Sequence, residues 1–231
     1  MRVCCRYWLA MAALLYQLPA YGADSICYGT VARGRISAAV QMPTSGPNFS
    51  AYSRIGTALG RNHVHSQVRA VVVATYAALV HQAPGKTFVY GETGSRTGGL
   101  FRPHKTHQNG LSVDFMVPVL DAAGQSVPLP TGVFNKFGYG IEFDRAGRYK
   151  DYSIDFVTMG EHLYQLYRAT QAAGLGITRV IFEPQLQQLL FRTPRGAYLR
   201  AHLAFSPKPA WVRHDEHYHV DFDVACQRLA D

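Results

Sequence analysis

The spacing of apolar and polar residues divides the chain into helical and strand-like stretches with no regular alternation between them. Residues 66–82, SQVRAVVVATYAALVHQ, are apolar nearly all round and predict a buried helix. APGK ends it, and TFVYGE (87–92) predicts a strand. A second strand is expected over LSVDFMVPV (111–119), followed by a turn at DAAGQS. GIEFD and YKDYSIDF flank RAGR and predict a hairpin. Residues 156–174 have helical spacing and stop at Gly174. ITRVIFEP reads as a strand, QLQQLLFRT and GAYLRAHLA as short helices, and HYHVDFDV as the last strand. Residues 29–62 are rich in Gly, Ser and Pro and predict an irregular, surface-wrapping segment. The expected fold class is therefore α+β: a small antiparallel sheet flanked by helices, in one domain.

Composition adds bounds. The 231 residues are 48% hydrophobic and 16% charged, which suits a single globular domain. A net charge of +8 favours anionic partners, but the basic residues are spread out, so nucleic acid is not an expected partner. The N-terminus pairs Arg2 and Arg6 with an apolar run from Tyr7 to Leu15 and then small residues at Ala20, Gly22 and Ala23. That order predicts a signal peptide over residues 1–23 and an exported, periplasmic domain over residues 24–231. The run is shorter than the roughly 20 residues of a membrane span, so no membrane insertion is expected once the leader is removed. Cys4 and Cys5 leave with the leader. Cys27 and Cys226 remain, and an oxidising compartment predicts a disulfide between them, contributing on the order of 4 kcal/mol by loop entropy.

The candidate chemistry lies in two windows, HKTHQNGLSVDF (104–115) and RHDEHYHVDF (213–222). On a strand His217, His219, Asp221 and Asp223 share one face, and Tyr218, Val220, Phe222 and Val224 share the other, which reads as core. Asp114 interrupts an apolar strand, which is costly unless the carboxylate is paired or holds a metal. His107 stands seven residues before Asp114, and a tight turn at Gly110 would bring the two together. His107, Asp114 and one strand histidine make three protein ligands, the pattern of catalytic zinc, and no CxxC pair suggests structural zinc. A second HxH, His63 and His65, has no nearby carboxylate and is expected at the surface or in a groove. His81, His162 and His202 lie in helical stretches and read as structural.

THQNGLSVD followed much later by HYH resembles the metallopeptidase superfamily that includes lysostaphin-type enzymes, D-Ala-D-Ala carboxypeptidases and hedgehog domains. GETGSRTGG, His104 three before His107, ITRVIFEPQLQQLL, and AWVRHDEHYHV with His214 three before His217 are similar to penicillin-insensitive murein endopeptidases, over about residues 85–226. The resemblance implies Zn2+ held by His107, Asp114 and His219, with the site on the sheet. It implies His217 as the catalytic histidine and His104 and His214 as lining residues. The implied substrate is peptidoglycan, at the D-alanyl to meso-diaminopimelyl cross-link. Glu216 stands three before His219, where D-Ala-D-Ala carboxypeptidases carry their base, and is the rival to His217; a regular strand turns it away from His217, whereas a bulge or the strand start would turn it in. Arg96, Arg102 and Arg213 flank the motifs and are candidates to hold substrate carboxylates. Two other functions compete: a D,D- or L,D-carboxypeptidase of stem peptides, and a non-catalytic zinc-containing binding module. The presence of two candidate bases argues against the module.

Overall fold

The computed structural model describes residues 24–230; the expected leader lies outside the described residues. β1 (Ile26–Thr30) and β2 (Arg33–Ser37) form an antiparallel hairpin. β3 (Val40–Gln41) pairs with β5 (His63–Val64), and between them come β4 (Phe49–Ala51) and the short helix α1 (Arg54–Ala58). Residues 29–62 are therefore built into the fold and are not irregular. Their partners are remote in sequence: Phe49 stacks on Tyr76 at 4.3 Å, and β4 lies parallel to β6 (Phe88–Tyr90). Local composition carries no record of such contacts.

Helix α2 (Ser66–Gln82) has the expected bounds but buries one face only. Val68, Val71, Val72, Tyr76 and Leu79 face inward, while Ala70, Ala74 and Ala77 are exposed. Alanine is the best helix former and does not need burial, so an all-apolar face was no sign of a fully buried helix. His65 is buried as the N-cap, its Nδ1 accepting from the Gln67 amide at 3.3 Å. His63 is half-buried, its Nδ1 2.9 Å from the Gly60 carbonyl.

β7 (Ser112–Met116), β12 (Gly176–Ile181) and β13 (His217–Asp223) complete a five-stranded sheet of order β12-β13-β7-β6-β4, antiparallel except for β4 beside β6. β8 (Val119–Leu120), β9 (Ser126–Val127), β10 (Arg148–Tyr149) and β11 (Tyr152–Ile154) form a smaller sheet. The expected hairpin is shifted: β10 and β11 turn at Lys150 and Asp151, and GIEFD is not a strand. Asp144 Oδ1 accepts from the amides of Ala146 and Arg148, both at 2.8 Å, and closes RAGR into a loop instead of a strand connection.

Helix α3 (Phe156–Ala172) is capped by Asp155, whose Oδ1 accepts from the Thr158 amide at 3.0 Å. α4 (Pro184–Leu190) and α5 (Gly196–His202) pack beside it. Tyr218, Val220 and Phe222 of β13 join Val113, Phe115 and Val180 in a core shared with Leu79, Met159, Leu163 and Leu166. Each such side chain contributes about 1.5–3 kcal/mol by burial. His162 belongs to this core: its Nδ1 accepts from the Tyr218 hydroxyl at 2.8 Å, and burial pulls its pKa down to about 3. The opposite face of β13 carries His217, His219 and Asp221, as strand alternation predicts.

A disulfide joins Cys27 to Cys226 across 199 residues of sequence. The Gly29 amide donates to the Gln227 carbonyl (2.9 Å) and the Gln227 amide to the Cys27 carbonyl (2.8 Å), so the two ends are also laced by backbone. No described helix is long and apolar enough to cross a membrane.

Candidate metal centre

Sheet register sets the site. His219 lies opposite Asp114, and Asp221 lies opposite Ser112 on one side and Arg179 on the other. Directly opposed residues on one face have close Cβ atoms, so β13 and β7 present two rows of polar side chains, one of them extended by Arg179 of β12, where most of the sheet is apolar. Asp114 is fully buried at the centre. Its Oδ1 is 2.9 Å from His219 Nδ1 and 3.3 Å from His107 Nε2. Its Oδ2 accepts from the Tyr139 hydroxyl at 2.9 Å, and His217 Nε2 and His104 Nδ1 stand 3.8 and 3.9 Å away. Burial pushes the Asp114 carboxyl up, but His107 and His217 outweigh it and hold the group well below the usual carboxylate range.

His107 arrives on the loop between β6 and β7. It adopts a left-handed backbone, φ +67°. Its Nδ1 donates to the Thr93 carbonyl at 3.0 Å, which leaves Nε2 buried, aimed at Asp114 and without a hydrogen-bond partner. Gly110 makes the turn at φ +77°, and a Cβ there would stand 2.5 Å from Ile36 Cδ1 and 2.9 Å from the His65 amide nitrogen. The glycine expected between His107 and Asp114 is thus required twice over, by conformation and by space.

His219 is held from behind. Its Nε2 is 2.7 Å from Asp221 Oδ1, and Asp221 also accepts from Ser112 Oγ (2.6 Å) and from Arg179 Nε (2.9 Å) and Nη2 (2.5 Å). Burial alone would lower the His219 pKa, but Asp221 and Asp114 flank the ring and raise it to about 9. A positive charge is therefore favoured at this spot.

These observations fit a divalent cation with nitrogen and oxygen ligands. Among the described residues His107 Nε2 has no hydrogen-bond partner, the Asp114 carboxylate is fully buried amid three imidazoles, and His219 carries the carboxylate–imidazole support usual behind a metal ligand. Ligand atoms of His104, His107 and Asp114 lie within 4.8 Å of one another and can hold a metal ion. Two sets thus share His107 and Asp114, with His104 or His219 as the third member. His104 Nε2 is already bound to Glu92 Oε2 at 2.6 Å and its other nitrogen is 3.9 Å from Asp114, whereas His219 touches the same Asp114 oxygen that faces His107.

Glu216 lies just before the strand start, the second of the two placements open to it. It precedes β13, so strand alternation does not govern it, and its Oε1 reaches His217 Nδ1 at 2.8 Å. Among the described residues His217 Nε2 is buried without a hydrogen-bond partner, and it faces Asp114. Burial pushes the Glu216 carboxyl up to about 8 and pulls the His217 ring down to about 4, with Asp114 opposing the latter only in part. His214 packs 4.5 Å from His217, its Nδ1 donating to the Val212 carbonyl. Burial and the neighbouring His217 pull its pKa down to about 3.

His104, His214, Glu216, His217 and His219 line a cleft of about 960 Å³, with His107 and Asp114 buried behind them. Tyr52, Ile55 and Leu59 line its end at β4 and α1, and Arg179, Ile181 and Trp211 its end at β12. The strand order places His219 and Asp114 between the two. Arg102 lines the cleft; Arg96 is exposed and does not. Arg213 also lines it, but its guanidinium donates to the Phe143 carbonyl (2.7 Å) and pairs with Glu142 (3.2 Å) and Asp215 (3.4 Å).

Two contributors escaped the sequence reading. Glu92 accepts from the Tyr52 hydroxyl (2.8 Å) and from Arg61 while holding His104. Burial pushes its carboxyl up, but Arg61 and His104 bring it down to about 2. Tyr139 accepts from the Glu92 amide (2.8 Å) and donates to Asp114. A lone acid at the end of TFVYGE was the one available signal for Glu92; Tyr139 sits in a loop and had none.

Comparison with known proteins gives one family: the model for penicillin-insensitive murein endopeptidase matches residues 27–229. No curated protein matches the chain.

Proposed function

Because the chain belongs to the penicillin-insensitive murein endopeptidase family, we propose that it is an exported zinc enzyme that hydrolyses peptide cross-links of peptidoglycan at the D-alanyl to meso-diaminopimelyl bond. Action on murein puts its work outside the cytoplasm, and the expected leader at residues 1–23 makes the periplasm the compartment we assign. The mature domain would begin at Asp24.

We assign the metal to His107 Nε2, Asp114 Oδ1 and His219 Nδ1, because the two imidazole nitrogens converge on that one carboxylate oxygen and each histidine is fixed through its other nitrogen. When bound, zinc supplies Lewis-acid polarisation of a carbonyl and acidifies water to a pKa of roughly 7. The remaining work falls to side chains. Asp221 and Thr93 hold the two imidazoles, and Tyr139 holds the second Asp114 oxygen. Glu216 grips His217 at Nδ1, so Nε2 is the atom presented to substrate. His217 then takes the proton of the attacking water, with Glu216 as its positioning partner rather than the base itself. His104 and His214 line the reacting centre, His104 oriented by Glu92.

One observation favours an endopeptidase over a carboxypeptidase. The cleft continues past Asp114 and His219 at both ends, leaving room for peptide on each side of the scissile bond. A carboxypeptidase needs one end closed around a terminal carboxylate.

The test is incubation of the chain from Asp24 with cross-linked muropeptide dimers, read by mass spectrometry with and without chelator. Monomers, lost with chelator, are expected. His217→Ala should cost about 10²–10⁴ in turnover and Glu216→Gln less. Intact dimers trimmed of terminal alanine would replace the reading with a carboxypeptidase, and full turnover by His217→Ala would overturn the base.

A further inference from the structure

The charge lining the cleft is strongly one-sided. Seven basic residues line it (Arg61, Arg102, Lys105, Lys136, Arg179, Lys208 and Arg213) against two acids, Glu92 and Glu216. Three of the seven are already spoken for: Arg61 by Glu92, Arg179 by Asp221, and Arg213 by Glu142 and Asp215. Lys105 differs from these. It adjoins His104 in the loop that carries His107, and among the described residues no acid lies within ion-pairing distance of its ammonium group. Its Nζ instead stands 5.3 Å from the ring centre of Trp211, which rises from the facing segment that leads to His214. Lys105 therefore reaches across the cleft beside the reacting centre. Trp211 is half exposed there, at 52%.

The indole offers the ammonium only the weak pull of a neutral ring at an exposed site, whereas a carboxylate offers a charge-assisted hydrogen bond that bound substrate shields from water. A carboxylate entering the cleft would therefore win Lys105 from the indole. Cross-linked stems carry such free carboxylates close to the scissile bond. We propose that Lys105, parked against Trp211 in the free protein, is the specificity residue that reads a free stem carboxylate, so that stems amidated at that position are poor substrates. This proposal rests on the endopeptidase reading for its substrate class, but not for its binding test.

The kinetic test compares dimers whose diaminopimelyl carboxylates are free with dimers in which they are amidated. The expected result is about a tenfold higher kcat/KM for the free form, carried by KM. Lys105→Gln, a change at an exposed position, should bring the free form down to the amidated one. Equal rates on both dimers for the unmodified protein would overturn the proposal, as would a preference that survives in Lys105→Gln.

The binding test needs no cleavage. In a chain starting at Asp24, Trp211 is the only tryptophan, because Trp8 lies in the expected leader. Saturable change of its fluorescence with free-carboxylate monomeric muropeptide, absent with the amidated form and absent in Lys105→Gln, supports the assignment. The same response to both forms overturns it. If neither dimer is cut, the endopeptidase reading fails, and the fluorescence titration still decides this one.

Discussion

Gly91 lies directly behind Asp114, the carboxylate proposed to hold the metal, and Gly91→Ala is the sharpest single test of how the centre is held. A Cβ at this position would stand 2.6 Å from the Tyr139 hydroxyl oxygen and 2.9 Å from Asp114 Cβ. Carbon–carbon contacts are optimal at about 3.5–4.0 Å, so Asp114 Cβ would have to retreat by about 0.6 Å. The backbone cannot absorb this cheaply. The Gly91 amide donates to the Asp114 carbonyl at 2.7 Å, and the Asp114 amide to the Glu92 carbonyl at 3.0 Å. Tyr139 is no freer, since the Glu92 amide holds its hydroxyl at 2.8 Å. The displacement must therefore reach the carboxylate. Overpacking of this size costs about 1–3 kcal/mol of stability. Zinc affinity should fall at least about tenfold, and a misplacement of this order should lower kcat/KM on dimers by up to about a hundredfold. Calorimetric titration of zinc into metal-free protein, urea unfolding and dimer cleavage measure the three effects separately. Adding Tyr139→Phe relieves the shorter contact but not that to Asp114 Cβ, so rescue should be partial. Unchanged zinc affinity and turnover in Gly91→Ala would refute the claim that Asp114 is positioned from behind.

Other outcomes follow from the same geometry. Asp221→Asn leaves His219 without its carboxylate and Arg179 without its partner, and should weaken zinc binding about 10–100-fold with the fold intact; an unchanged affinity would remove Asp221 from the support of the centre. Replacing both Cys27 and Cys226 with Ser should cost about 2–4 kcal/mol in urea unfolding, below the loop-entropy ceiling of about 5, because the Gly29–Gln227 lacing persists. A loss under about 1 kcal/mol would mean the backbone lacing suffices. His162 has a depressed pKa of about 3 in the fold and near 6.5 unfolded, so the unfolded chain binds the extra proton. The resulting stability is complete above pH 6.5 and is lost as pH falls toward 3. His162→Phe should make the acid decline shallower by up to about 1.4 kcal/mol per pH unit, and parallel curves for the two proteins would contradict this.

Much of the centre was legible in the sequence because its members obey short-range rules. The period of two placed His217, His219 and Asp221 on one face of β13, and a charged residue in an apolar strand marked Asp114. Gly110 announced the turn that brings His107 in. Glu216 stayed open between two placements because alternation does not govern the residue before a strand, and the sequence does not mark where the strand starts. Tyr139 and Glu92 were missed because their role exists only through tertiary contacts: one hydroxyl bridging two segments, and one acid collecting donors from three. The same physics hid the order in residues 29–62. Two- and three-residue strands draw their stability from partners elsewhere in the chain, and glycine-rich composition describes the turns between them rather than the pairing. Arg213 lines the cleft, and only the structure shows how many acids claim it.

The strand order has a consequence in time. β13 is the last strand of the chain, yet it lies between β12 and β7, both made earlier. Until it arrives, those two have an open slot between them, and Asp114 faces no His219. A chain emerging from its N-terminus can form the hairpin, the helices and half of the sheet while remaining chemically mute. Closing the slot with β13 and fastening Cys226 to Cys27 bring the imidazole to the carboxylate at the end of assembly. A peptidase of the cell wall thereby gains its centre only when β13, made after every other strand of its sheet, is in place.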